Sequence, residues 1–268
     1  MFRRDLESRF GSTVTVLAVL ATAFLLLPVL FVVLHSFSPA RYFQWPPQGF
    51  SLKWHLNFYN SSMFMDAARN SFLMALIVTP LSLLIGIPVS YALVRSEFRG
   101  KAIIQQIILS PLIIPGVVTG VSLLSLLSAQ GMRIGLFGLC LGMLVFALPF
   151  AIRALSANLL GLDARIEEAA LNLGAGPLRT FFTIVLPQLK SGILAASVFV
   201  FVEALDNFSI AVFLSNDNTK VLPVAAYQYI KDFDDPTVAA MATALIVMSV
   251  ILVAFLEKVM GFQKSLRL

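Results

Sequence analysis

Six apolar runs, each close to the length of a bilayer crossing, dictate what this chain can become. They lie at about 14–34, 71–94, 103–128, 134–152, 193–214 and 238–256. A helix needs about 20 predominantly apolar residues to cross the hydrocarbon layer. Inside that layer every peptide N–H and C=O must find a partner within the protein, which leaves only helices or closed barrels. The weak ten-residue alternation of barrel strands is not seen. The reading is all-α: a polytopic membrane protein of six transmembrane helices, one domain over 1–268. With 59% hydrophobic residues, 12% charged residues and a mean hydropathy of +0.90, soluble enzymes and nucleic-acid binders are excluded. The first run exceeds the roughly 7–15-residue apolar core of a cleaved signal peptide, so it reads as a retained helix with Pro28 as a tolerated kink.

Orientation follows from the basic residues. With the N-terminus inside, the inner segments hold Arg3, Arg4, Arg9, Arg95, Arg99, Lys101, Arg153, Arg165, Arg179, Lys190, Lys258, Lys264 and Arg267, which is 13 of the 19 Lys and Arg. The outer segments keep Arg41, Lys53, Arg69, Arg133, Lys220 and Lys231. Cytoplasmic loops carry such an excess, so both termini are expected in the cytoplasm. The long segment 35–70 then lies along the outer surface, where Tyr42, Trp45, Trp54 and Tyr59 among Pro46, Pro47 and Gly49 suit the headgroup zone. The single Cys140 forms no intrachain disulfide. His35 and His55 with one Cys make no metal cluster. No G-x-x-x-x-G-K-[ST] loop is present, so no cofactor is expected on this chain. Pro80, Gly86, Pro88, Pro111, Pro115, Gly116, Gly120 and Pro149 fall within apolar runs and read mainly as kinks and close-packing positions.

The expected cytoplasmic segment at about 153–192 holds, between two strongly apolar runs, a polar, Ala-rich stretch punctuated by Gly174, Gly176, Pro177 and Pro187. Asp163 is a good N-cap, because its carboxylate can accept from the free amides of a first turn. Glu167 and Glu168 follow near the positive end of the helix dipole. Gly174 can take the left-handed conformation that ends a helix. Pro177 suits the first position of a second helix running through Arg179, Phe181, Phe182, Ile184 and Val185 to Pro187. Two short helices joined by a Gly/Pro elbow make a rigid projection.

Glu168-Ala169-Ala170, three residues, Gly174, nine residues, then Ile184-Val185-Leu186-Pro187 resembles the EAA loop of ABC-importer permeases, and the spacing is matched in full. The resemblance implies the type I importer permease fold and a bacterial inner-membrane, multi-pass location. It implies that Glu167, Glu168, Ala169, Ala170, Gly174 and Pro187 couple the chain to an ATPase. The partners it implies are two ATPase subunits carrying ATP and Mg, a second permease in a heterodimer, and an extracytoplasmic solute-binding protein, all amid membrane lipids. Catalysis and metal binding are not expected of this chain.

The fifth run holds Glu203, Asp206 and Asn207, whose i, i+3, i+4 spacing places them on one face of a continuous helix. An ionised carboxylate at bilayer depth is costly and is a functional-site hypothesis by default. No Lys or Arg lies centrally in any of the six runs to neutralise it. The open readings are an aqueous path for a cationic solute, a protonated carboxyl bonded between helices, or pairing with a partner subunit. The outer segment 215–237 adds Asp217, Asp232, Asp234 and Asp235 against Lys220 and Lys231, a modest net −2. Asp235 and Pro236 read as the N-cap and first residue of the sixth run.

Gln48-Gly-Phe-Ser-Leu-Lys-Trp54, Ala68-Arg-Asn-Ser71, Leu205-Asp-Asn-Phe208, Phe213-Leu-Ser215, Leu222-Pro-Val224 and Asp235-Pro236 are similar to the spermidine/putrescine branch of these permeases. That implies transport of polyamines or a similar organic cation. Iron(III), thiamine and phosphonate permeases share parts of the pattern and stand as alternatives. Asp206 matches the branch's acidic position; Glu203 departs from it. A proton-coupled secondary transporter using Glu203 and Asp206 is the alternative of another class, although the internal repeats common in that class are not visible.

Overall fold

The structure, a computed structural model, describes residues 2–42, 44, 49–132 and 135–265. Trp45, Pro46, Pro47, Gln48, Arg133, Ile134 and Arg267, on which parts of the sequence reading fall, lie outside them. The regular elements among the described residues are all helices. In chain order they are α1 (Phe2–Ser36), α2 (Lys53–Asn60), α3 (Ser62–Arg95), α4 (Lys101–Leu109), a 3₁₀ turn (Ser110–Leu112), α5 (Gly116–Ala129) and α6 (Leu136–Leu160). They continue with α7 (Ala164–Asn172), α8 (Pro177–Thr180), a π turn (Phe181–Val185), α9 (Leu186–Gln188), α10 (Lys190–Asp206), α11 (Phe208–Leu214), α12 (Leu222–Asp232) and α13 (Thr237–Ser265).

Among the described residues four helices are long and apolar enough to cross a membrane: Val14–Ser36 of α1, all of α3, all of α6, and Thr237–Phe255 of α13. Two bent pairs pass when their halves are joined, Lys101–Leu112 with Gly116–Ala129 at 100° and Pro177–Gln188 with Lys190–Asp206 at 68°. Counting each pair as one crossing gives six.

The boundaries differ from the sequence reading at several points. The third run is a sharp corner rather than one kinked helix: Pro115 offers no N–H to the turn before it and instead precedes the new helix at Gly116. The fifth run, expected as one helix over 193–214, stops at Asp206 and restarts at Phe208. Asn207 between them is extended (φ −75°, ψ 97°), and its Oδ1 accepts from the Ile210 amide at 3.1 Å. A side chain that caps a new helix in this way competes with continuation of the old one. α6 runs on to Leu160, eight residues past the apolar run that ends at 152. α3 begins nine residues before the expected start at 71, because Met63, Met65, Ala67 and Ala68 are good helix formers. The segments 35–70 and 215–237, expected as loops, hold the helices α2 and α12.

The chain divides into two compact units, 62–228 with 249–268, and 1–61 with 229–248. In the first, α3, α6 and α10 pack together around Leu155, Leu159, Val185, Leu189 and Ala196. Without a hydrophobic drive between helices in lipid, contact depends on small residues and polar bonds. At Gly192 a Cβ would lie 2.7 Å from the Asn158 side chain, and Ser90 Oγ donates to the Ile152 carbonyl at 3.1 Å. α5 meets α11 as closely: a Cβ on Gly120 would sit 3.0 Å from the Ser209 carbonyl. In the second unit Trp54 donates to the Ser38 carbonyl at 2.8 Å, and Asn57 donates to Thr237 Oγ1 at 2.7 Å. Asp235 accepts from the Thr237 amide and from the Tyr229 hydroxyl, both at 2.9 Å. Burial alone would raise the Asp235 carboxyl, but the bonds from Thr237 and Tyr229 and the charge of Arg41 hold it below the usual carboxylate range.

Candidate functional site

The projection between α6 and α10 forms as its local chemistry dictates. Asp163 Oδ1 accepts from the Arg165 amide at 3.0 Å and starts α7. The helix closes with two reversed bonds, Gly174 N to Leu171 O and Ala175 N to Ala170 O, each 3.0 Å. This double closure requires a left-handed residue, and Gly174 has φ +85°. Pro177 opens α8 without loss of a donor. Beyond it the backbone widens into the π turn, and Pro187 sits in α9 at the corner before α10.

α7 has two unlike faces. Glu168 and Ala169 are exposed, and Leu173 and Leu178 beside them stand 90% and 76% open. Ala170 is half-buried. Glu167, expected beside Glu168 as a coupling residue, turns inward and is only 8% exposed. Its Oε1 accepts from Arg95 Nε at 2.8 Å, and its Oε2 accepts from the Tyr91 hydroxyl at 3.1 Å. Arg95 also donates through Nη2 to the Leu162 carbonyl at 3.0 Å. Sequence reasoning missed Arg95 and Tyr91. The one local hint is that Ala164 and Ala170 flank Glu167 at three-residue spacing, a small-residue face suited to close approach.

The second group lies at the broken end of α10. Glu203 is half-buried, Asp206 is exposed at the last helical residue, and Asn207 is buried in the break. Asn207 therefore leaves the helical face that the sequence spacing predicted. It still reaches back: its Nδ2 donates to Glu203 Oε1 across a long 3.5 Å. Neither carboxylate forms an ion pair among the described residues. Ser197 Oγ donates to the Ile193 carbonyl of its own helix at 2.7 Å, so its hydroxyl is already engaged. The arrangement offers two acidic side chains, one held by an amide and one open, beside a helix break. Among the described residues no group of three or more His, Cys, Asp or Glu is placed to hold a metal ion.

The family model described as "Binding-protein-dependent transport system inner membrane component" matches residues 7–259. The chain belongs to this family. It is a permease subunit of a binding-protein-dependent ABC importer, a multi-pass component of the inner membrane, and the proton-coupled alternative gives way to that membership. Among its relatives, the spermidine/putrescine transport system permease protein PotC of Escherichia coli K12 is 31% identical over 232 residues, covering 86% of this chain and 87% of that protein. The putrescine transport system permease protein PotI of the same organism is 31% identical over 239 residues, covering 86% and 84%. Among solved structures, a bacterial ABC transporter involved in import of the acidic polysaccharide alginate aligns with a TM-score of 0.67 at 19% identity, over 94% of this chain and 95% of that one. The fold is that of the type I importer permeases, and such permeases work with binding proteins and ABC partners.

Proposed function

We propose that this permease carries a polyamine or similar organic cation inward. The observation that supports this reading best is the pair Glu203 and Asp206 on α10, two carboxylates with no cationic partner among the described residues, in a chain whose relatives include PotC and PotI. Low-dielectric walls with one sign of charge favour a solute of the other sign. Glu203, Asp206 and Asn207 line the path in this reading. Glu168, Ala169, Ala170 and Gly174 form or shape the surface that meets an ATPase, Glu167 anchors that surface from beneath, and Pro187 sets the corner into α10. ATP and Mg sit on two ATPase subunits, and this chain forms half of a heterodimeric pore served by an extracytoplasmic binding protein. Both termini are cytoplasmic.

A molybdate/tungstate transport permease of Pyrococcus abyssi, WtpB, is 39% identical over 138 residues, half of this chain. An oxyanion would have to pass both carboxylates, which disfavours that cargo. Iron(III) and thiamine remain the panel to test next; a phosphonate, itself an oxyanion, is disfavoured on the same ground.

The test is uptake of labelled putrescine and spermidine by cells carrying the whole transporter, with the wild-type chain, Asp206→Asn and Glu203→Gln. ATP-driven uptake by the wild type, lost in both variants while the complex still assembles, is the expected result. Wild-type uptake no higher than that of cells lacking the transporter removes the polyamine assignment.

A further inference from the structure

We infer that Arg95 is a positioning residue for transport: it locks α7 to α3, and α3 carries α7's displacement to the segment at 216–222. The inference rests on the reading of α7 as the element an ATPase moves. Glu167 is the one carboxylate among the buried residues described, and both its oxygens are held from α3. The Arg95 fork grips α7 twice, at the Glu167 carboxylate and at the Leu162 carbonyl just ahead of the Asp163 cap. Two points of attachment fix the rotation of a helix as well as its position. Only a guanidinium offers donors in such a rigid fork; a lysine ammonium cannot make both bonds in the same way. The pair is well shielded, with side chains 16% and 10% exposed, while each of the other ion pairs described has a partner more than half exposed. Shielded pairs are weakly screened by salt and hold where surface pairs loosen.

Tyr91, one turn before Arg95, also packs edge-on against Phe181 of the π turn, with ring centroids 5.1 Å apart. The second half of the projection is thereby tied to α3 as well. Toward its other end α3 makes a matching set of polar contacts. Asn70 Nδ2 donates to the carbonyls of Asn218 and Lys220 at 3.1 and 3.0 Å, and Ser71 Oγ accepts from the Leu222 amide at 2.8 Å. One helix thus holds the projection at one end and the 216–222 segment at the other. Coupling between distant sites travels through such rigid elements when their ends are fixed.

The test uses the assembled transporter in proteoliposomes, comparing basal ATP hydrolysis with hydrolysis stimulated by the loaded binding protein. The variants are Arg95→Lys, Tyr91→Phe and Asn70→Ala, with assembly followed by size exclusion. The expected result is a ratio of stimulated to basal hydrolysis reduced severalfold, within the roughly 2- to 30-fold range of coupling mutations, with basal hydrolysis per assembled complex retained. Tyr91→Phe removes one hydroxyl and keeps the ring, so it guards against a folding defect in the others. A wild-type ratio in Tyr91→Phe and Arg95→Lys overturns the inference. So does a fall in both activities that merely follows the amount of complex. The ratio needs no correct solute assignment beyond a binding protein that stimulates, so a failed polyamine reading does not mimic either result. A wild-type complex without ATPase activity overturns the coupling reading of α7 and this inference together.

Discussion

Gly174 shows at the scale of one residue how closely the projection is specified. Its φ of +85° lies where L side chains are strained, yet a Cβ there would meet nothing within 4 Å. The cost of a substitution is therefore backbone strain alone, on the order of 1–3 kcal/mol for a β-branched residue. Gly174→Val is expected to distort the turn after α7 and uncouple uptake from hydrolysis while circular dichroism and assembly stay unchanged. Normal uptake in that variant would sink the expectation. Asp163, Gly174 and Pro177 were legible in the sequence because a cap, a left-handed residue and a first-turn proline each act over a few neighbouring positions. Glu167 was not, since its partner Arg95 lies 72 residues away and only tertiary packing joins them. Two adjacent glutamates look alike in sequence, and the helix phase sends one outward and one inward.

At the scale of the element, hydropathy found the apolar runs but not their breaks. A window of composition reads α10, Asn207 and α11 as one span because a single amide hardly alters the mean. The information is local all the same: Asn207 caps α11 through Ile210 and touches Glu203 one turn back. Asn207→Ala removes both bonds. Loss of an N-cap costs about 0.5–2 kcal/mol, so the purified permease is expected to melt a few degrees lower. Asn207→Asp keeps an acceptor for the Ile210 amide but places a carboxylate against Glu203, so it is expected to restore less than the full melting temperature. An unchanged melting curve in Asn207→Ala would mean that packing alone sets the break. The 100° corner before α5 was half legible: Pro111 and Pro115 mark an interruption, but the angle comes from how α5 seats on α11 through Gly116 and Gly120.

For the whole molecule, α3 separates two loops by a length that can be reckoned. From Asn70 to Arg95 there are 25 residue steps, about 38 Å of helix at about 1.5 Å per residue. The hydrocarbon layer is about 30 Å thick. With α3 as one crossing, the segment held by Asn70 and the projection held by Arg95 are expected on opposite sides of the membrane, whichever way the chain is inserted. The basic residues then choose the side: 13 of 19 fall with the projection when the termini are inside. The single native cysteine makes this directly measurable once Cys140→Ser is in place. Leu173→Cys sits on an open surface, and Asp217, whose side chain is 99% exposed, offers the site across the bilayer. In cells expressing the permease without an ATPase partner, a membrane-impermeant maleimide applied outside is expected to label Asp217→Cys and leave Leu173→Cys untouched. Inside-out vesicles are expected to show the reverse. Exchange of the two patterns would invert the chain and put the projection out of reach of any cytoplasmic ATPase. Labelling of both sites from one side would show that α3 does not cross and would overturn the placement on opposite sides.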